Sequence, residues 1–200
     1  MSSPYAQAQY QVRFDWGITG AEDVATDADV IVMVDVLTFT TALDTELAAG
    51  RPVSADGSLL ASGLVGHPAH VVAGCLRNRT AVASWVLDRQ AEKGDRFRVA
   101  IIAAGSARAE GPMRFAVEDL LAAGAIVDAL AEVGIDYCSP EAAVASAAFT
   151  TLRRATGHLI SASGSGQELI GGAGRAQVDT ASEIDVSRIV PVLHGTTFTN

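Results

Sequence analysis

The hydrophobic pattern alternates short apolar runs with longer stretches of helical period. Val30-Ile31-Val32-Met33-Val34 is a five-residue apolar run rich in β-branched side chains. Such a run predicts a strand buried on both faces, as in a parallel sheet. Asp35 follows directly, and a helix is expected to start near Thr38 or Thr40 and to stop at Gly50 and Pro52. His70–Ala73, closed by Gly74, and Phe97–Ala103 are two further strands. Helix formers fill 80–92 and 114–133, the second with Val117, Leu120, Leu121, Gly124, Val127 and Leu130 at steps of three and four. Ser139-Pro140-Glu141 opens a helix to about Ala155, with Ser as N-cap and Pro at N1. Gly164–Ile170 is a short helix, and Ile189–Leu193 a last strand that Pro191 places at a sheet edge.

Strand and helix thus alternate, which predicts an α/β fold: a layered, mainly parallel sheet flanked by helices, as a single domain over 1–200, with two sub-lobes meeting at a crevice as a variant. Ligands in such folds sit beyond the carboxyl ends of the strands. The residues of interest are therefore Asp35, Asp56-Gly57-Ser58, the stretch 74–78 and Gly105.

Composition narrows the chemistry. The chain has 200 residues, 49% of them hydrophobic, with 14 basic against 23 acidic side chains and a net charge of −9. That balance argues against a general nucleic-acid binder and against docking on an anionic membrane. It leaves room for an anionic small molecule in a local pocket. Two cysteines, Cys75 and Cys138, read as reduced thiols of a cytoplasmic protein. The start, from Met1 to Gln7, lacks signal-peptide regions, and no apolar stretch reaches membrane-spanning length.

At the strand ends, Asp35 reads as a metal ligand, a nucleophile or a helix cap. Thr38, Thr40 and Thr41 at a helix start form either an anion site or ordinary caps. The loop Ser54–Ser58 could wrap an oxyanion or be a plain turn. Arg77 or Arg79 could clamp an acidic substrate. Cys75 lacks the arginine spacing of a cysteine phosphatase and reads as a small buried hydrophobe. Glu118-Asp119, early in the strongest helix, either complement the helix dipole or hold Mg²⁺ through hard oxygen ligands. The loop from Ser106 to Pro112 is small and polar, and the four histidines show no zinc spacing.

Taken together, these motifs resemble the 2-phosphosulfolactate phosphatase family. The resemblance is carried by V-I-V-M-V-D-V-L-T-F-T-T (Val30–Thr41), Asp56-Gly57-Ser58, A-G-C-L-R-N (Ala73–Asn78), A-V-E-D-L-L-A-A-G (Ala116–Gly124) and the tail Glu183–Leu193. It implies a Mg²⁺-dependent phosphomonoesterase of an α/β fold, acting on 2-phospho-3-sulfolactate or a related 2-hydroxy-acid phosphate, in coenzyme M biosynthesis in some members. By residue, it implies that Asp35, Glu118 and Asp119 hold metal and carry catalysis, and that Thr38, Thr40, Thr41, Gly57, Ser58, Arg77 and Asn78 bind substrate. Three departures stand out: Thr38 where the family often has Arg, Asp56 where it usually has Asn, and a chain shorter by several tens of residues between Gly50 and Arg51. The missing segment and Asp56 leave a non-catalytic binding homologue as a competing expectation, and the low charge and alanine-rich helices leave a packed homo-oligomer as another.

Overall fold

The computed structural model describes residues 3–108, 110, 111 and 113–200; Met1, Ser2 and Pro112, used in the readings above, lie outside them. In chain order the elements are β1 (Val12–Trp16), α1 (Gly17–Val24), β2 (Val30–Val34), a π-helical turn (Val36–Thr40), α2 (Thr41–Ala48), β3 (Val53–Ser54), α3 (Leu59–Gly63), β4 (His70–Gly74), α4 (Arg79–Lys93) and β5 (Val99–Ala103). Then follow α5 (Val117–Glu132), α6 (Pro140–Leu152), α7 (Thr156–Ala162), α8 (Gly164–Gly171), α9 (Arg175–Ala181), β6 (Val192–His194) and β7 (Thr197–Thr199). The sheet order is β1-β5-β2-β4-β6-β7-β3. The first four strands in that order run parallel, and the last three extend the sheet antiparallel.

Strand β2 shows why the apolar run was diagnostic. Every residue in it is buried. Val30, Val32 and Val34 enter one core, with residues of α4, α5 and α6. Ile31 and Met33 enter the opposite core, with residues of α1, α2 and α3. Side chains that alternate across a sheet covered on both faces must all be apolar. The predicted α/β layering is what the chain adopts.

Strand β1 escapes the hydrophobic pattern because Arg13 and Asp15 interrupt it. Arg13 is nonetheless 1% exposed. Its guanidinium donates to the carbonyls of Tyr10, Val24 and Ala8 and pairs with Asp27. A buried charge is tolerated when its donors are satisfied in this way.

The last strand corrects an expectation. β6 lies between β4 and β7, and Pro191 sits just before it rather than within it. The proline's missing N–H therefore costs no ladder bond, while its carbonyl accepts from Ala73 N at 2.9 Å. The sheet edge on that side is the two-residue β3.

At Gly50 and Arg51, where the family resemblance implied a longer chain, α2 ends in a closed stop. Gly50 has φ +74°. Its N–H bonds Leu47 O at 2.9 Å, and Arg51 N–H bonds Glu46 O at 3.0 Å. This is the paired bonding of a Schellman cap, which uses a left-handed glycine to satisfy the final carbonyls. The turn then feeds β3 directly.

Helices α5 and α6 pack closely. A Cβ on Gly124 would come within 2.0 Å of the Ala145 carbonyl oxygen, a backbone atom that cannot swing away. Gly124→Ala is expected to cost about 3 kcal/mol or more, at the upper end for overpacking. Urea denaturation checks this, and an unchanged midpoint would contradict the packing.

Candidate active site

The parallel strands end in register: Val34 pairs with Gly74 and with Ala103, and Trp16 pairs with Ala103. The residues that follow, Gly17, Asp35, Cys75 and Ala104-Gly105, therefore share one edge of the sheet. The chain turns sharply after β2. Asp35 O accepts from both Phe39 N at 3.1 Å and Thr40 N at 2.7 Å, which opens the turn to π geometry. Such turns are often found at functional sites. Thr40 Oγ1 accepts from Asp35 N at 3.2 Å and fixes the turn from inside.

The three acids predicted as a set are brought together. Asp35, Glu118 and Asp119 are 7%, 3% and 2% exposed. Asp119 reaches across from the first turn of α5. Its Oδ1 accepts from Val36 N at 2.8 Å and its Oδ2 from Gly105 N at 2.9 Å. These are the N–H groups left over where β2 and β5 stop. Burial pushes the Asp35 carboxyl up to about 6; hydrogen bonds from the Thr38 hydroxyl and backbone and from Ser58 pull it back, and the charge of Glu118 pushes it further. Burial also holds Asp119 well above the ordinary carboxylate range, aided by Asp35 and opposed by the Val36 bond. The centre thus resists carrying its full negative charge.

The predicted substrate cradle divides. Thr38 and Ser58 serve Asp35, and Ser58 also caps α3 by accepting from Ala61 N at 3.3 Å. Gly57 is a packing glycine, since a Cβ there would lie 2.9 Å from the Phe39 ring. Thr41 is buried, and its hydroxyl has no hydrogen-bond partner among the described residues.

Arg77 and Asn78 stand at the same sheet edge, and both are engaged within the chain. Arg77 Nε bonds the fully buried Asp44 at 2.8 Å, and its Nη1 pairs with Glu183. Asn78 accepts from Cys75 N at 2.9 Å and donates to Ala73 O and Ile189 O at 3.2 and 3.0 Å. Arg79, the other candidate clamp, is buried among Asp128, Glu132 and Asp185. Their polar atoms hold the tail to the sheet, a role that spacing alone could not separate from substrate binding. Cys75 is buried, and burial pushes its thiol up to about 12, so it offers no thiolate.

Among the described residues, no three His, Cys, Asp or Glu side chains are disposed to hold a metal ion by themselves. A groove of about 490 Å³ between α7, α8 and α9, lined by His158, Gln167 and Arg175, contains none of the three acids. The strand-end acids are the better candidate because three buried carboxyls there demand a counterpart, whereas the groove's Arg175 already has Asp179 beside it.

A parallel-centred α/β sheet with acids gathered at its carboxyl edge is a layered α/β fold with its acids where ligands sit in that class. More particularly, residues 54–196 match the model of the 2-phosphosulpholactate phosphatase family, and the chain belongs to that family and is a phosphatase of that type. No curated protein matches the chain. The matched stretch takes in Gly57, Ser58, Arg77, Asn78, Glu118 and Asp119, whereas Asp35 and the three threonines precede it and are placed by geometry. Among the described residues, no helix is long and apolar enough to cross a membrane.

Two outcomes follow from these contacts. Asn78→Ala strands a buried N–H and weakens two carbonyl contacts, so it should cost about 2–3 kcal/mol in denaturation experiments. The second concerns Asp35, whose carboxyl titrates higher in the folded chain than its ordinary 3.8. The folded state holds that proton more tightly, so the associated stability is complete below pH 3.8 and is lost as pH rises through about 6. In chelator-treated protein, Asp35→Asn should flatten this pH dependence and raise stability at pH 8 by up to about 3 kcal/mol. An Asp35→Asn variant with the same pH dependence as the wild type across that window would contradict the assignment.

Proposed function

We infer that this chain is a Mg²⁺-dependent phosphomonoesterase acting on the phosphate ester of a small 2-hydroxy acid, 2-phosphosulfolactate or a close analogue. The observation that carries this reading is the buried acidic centre at the ends of β2 and α5, where burial and mutual charge raise the carboxyls of Asp35 and Asp119. A divalent cation would relieve that repulsion. The donors are hard oxygens, which suit Mg²⁺; this ion commonly takes only one or two carboxylates, keeps several waters and adds substrate phosphate oxygens. A site without three convergent protein ligands is compatible with that habit.

Asp35 and Glu118 are the residues that would hold the ion, because the Asp119 oxygens already serve Val36 and Gly105. When bound, Mg²⁺ supplies polarisation of a phosphoryl oxygen and a more acidic water. The chain's own residues do the rest. Thr38 and Ser58 orient the Asp35 carboxylate. The unpartnered Thr41 hydroxyl would donate to a phosphate oxygen and so become satisfied. Hydrolysis adds water at phosphorus, breaks the ester P–O bond and releases phosphate and the protonated 2-hydroxy acid.

Phosphate release from 2-phospholactate, measured with and without Mg²⁺, tests the reading. Asp35→Asn should lower release by roughly 100-fold or more while leaving the protein folded. Mg²⁺ should also raise the melting temperature of the wild type and not of the variant. Undiminished turnover in the variant would sink the assignment. Calorimetric binding of 2-phospholactate without any release would favour a non-catalytic homologue instead.

A further inference from the structure

We propose that two copies of this chain associate as a two-fold dimer through an apolar face at the carboxyl ends of β1 and β5. The inference is independent of the phosphatase reading.

Most large apolar side chains of the chain are buried, yet four exposed ones gather at this end of the sheet. Leu59, Phe115, Ile18 and Met113 are 90%, 57%, 42% and 39% exposed. Their contacts make them neighbours. Met113 Sδ lies 3.7 Å from where a Cβ on Gly17 would stand and 2.3 Å from where one on Gly105 would stand, so it spans the ends of β1 and β5. The Phe115 ring sits 5.2 Å from that of Trp16, the last residue of β1. Ile18 follows Gly17 and rests on α3, its Cδ1 only 2.6 Å from a Cβ position on Gly63. Leu59 is one turn before Gly63 on α3 and so shares its face. These side chains form one surface rather than scattered singles, and such a surface marks an interaction site.

A second copy fits it by area and by charge. At ordinary side-chain sizes, these exposures leave about 400 Å² of apolar surface on each copy. A protein interface is about 57% apolar, so this core corresponds to about 700 Å² per copy and about 1,400 Å² in all, within the standard range for a specific pair. The two margins of the face differ in charge. On α1, Glu22 stands one turn beyond Ile18, with Asp23 beside it, while on the segment after β5 Arg108 and Arg114 outnumber Glu110. All five are exposed, and none makes an ion pair among the described residues. A two-fold sets the α1 margin of one copy against the arginine-bearing segment of the other, and does so twice. Elsewhere, a chain of net charge −9 repels its own copy.

Sedimentation equilibrium of the full chain from about 1 to 100 µM tests the proposal, since interfaces of this size associate at micromolar concentration or below. The wild type should be a dimer at the upper end. Ile18→Glu and Phe115→Glu should each weaken association at least about 100-fold, because the two-fold buries each new carboxylate twice. Val144→Glu, which puts the same charge on an exposed apolar position of α6, should leave the dimer intact. Fluorescence reads the face without placing a charge on it. Of the two tryptophans, Trp85→Phe leaves only Trp16, whose emission should move to the blue as concentration rises through the association range. A dimer untouched by Ile18→Glu and Phe115→Glu, one lost equally in Val144→Glu, or a Trp16 emission that ignores concentration would overturn the proposal. So would a wild type that stays monomeric throughout, which would leave the face to a different protein.

Discussion

The structure around the candidate site depends on one side chain, Asp119. Its two oxygens take the N–H groups of Val36 and Gly105, which are the donors left where β2 and β5 end. A parallel sheet must stop somewhere, and each strand end leaves backbone groups that need partners. Here the partner is a buried carboxylate from α5, so one residue fixes a helix, the π turn behind Asp35 and the returning segment after β5. The carboxyl is raised by burial and by Asp35, and lowered by the two bonds it accepts. Such a group is costly to bury without partners. Its bonds are therefore what make the acidic centre compatible with a packed sheet end.

A second constraint operates one strand over. The tail must cross the end of β4 before it can enter the sheet as β6. Asp185 N donates to Leu76 O at 3.1 Å and Ser187 N to Arg77 O at 2.9 Å. Asn78 then holds Ile189 O, while Arg77 and Arg79 hold Glu183 and Asp185. The polar residues of the β4–α4 turn thus serve topology. They stand at the position where ligands bind in such folds, and yet most of their contacts are made within the chain. Arg79, at 3% exposure with three acidic partners, is the extreme case.

This explains what could be read from the sequence and what could not. The buried strands β2, β4 and β5 and the long helices α4, α5 and α6 announce themselves, because two-sided burial leaves these strands apolar apart from the exposed His70 that opens β4, and helical period survives in α5. Strand β1 did not, because its polar positions are satisfied by contacts that hydrophobic patterning does not show: Arg13 by carbonyls on either side of it and by Asp27, and Asp15 by Trp16 N. The short strands β3 and β7 and the helices α1, α7 and α9 carry too few residues for periodicity to register. At the site, the acids were visible because Asp35 follows an apolar run and Glu118-Asp119 opens a helix. Their different roles were not. Whether a carboxylate points to a ligand or to two backbone N–H groups depends on where β5 ends relative to α5, which no local pattern encodes. Nor does the local pattern at the β4–α4 turn show that Arg77 pairs with Asp44 and Glu183 or that Asn78 bonds Cys75, Ala73 and Ile189.

The charge balance takes on a different meaning in this light. A net charge of −9 suggested only that nucleic acid and anionic membranes are poor partners. In the folded chain much of the basic complement is already paired, including the two arginines nearest the end of β4. Recognition of an anion at the sheet edge therefore cannot draw on a general positive field. It must be local, at the strand ends that Asp119 keeps in register by gripping both Val36 beside Asp35 and Gly105 beside Ser106.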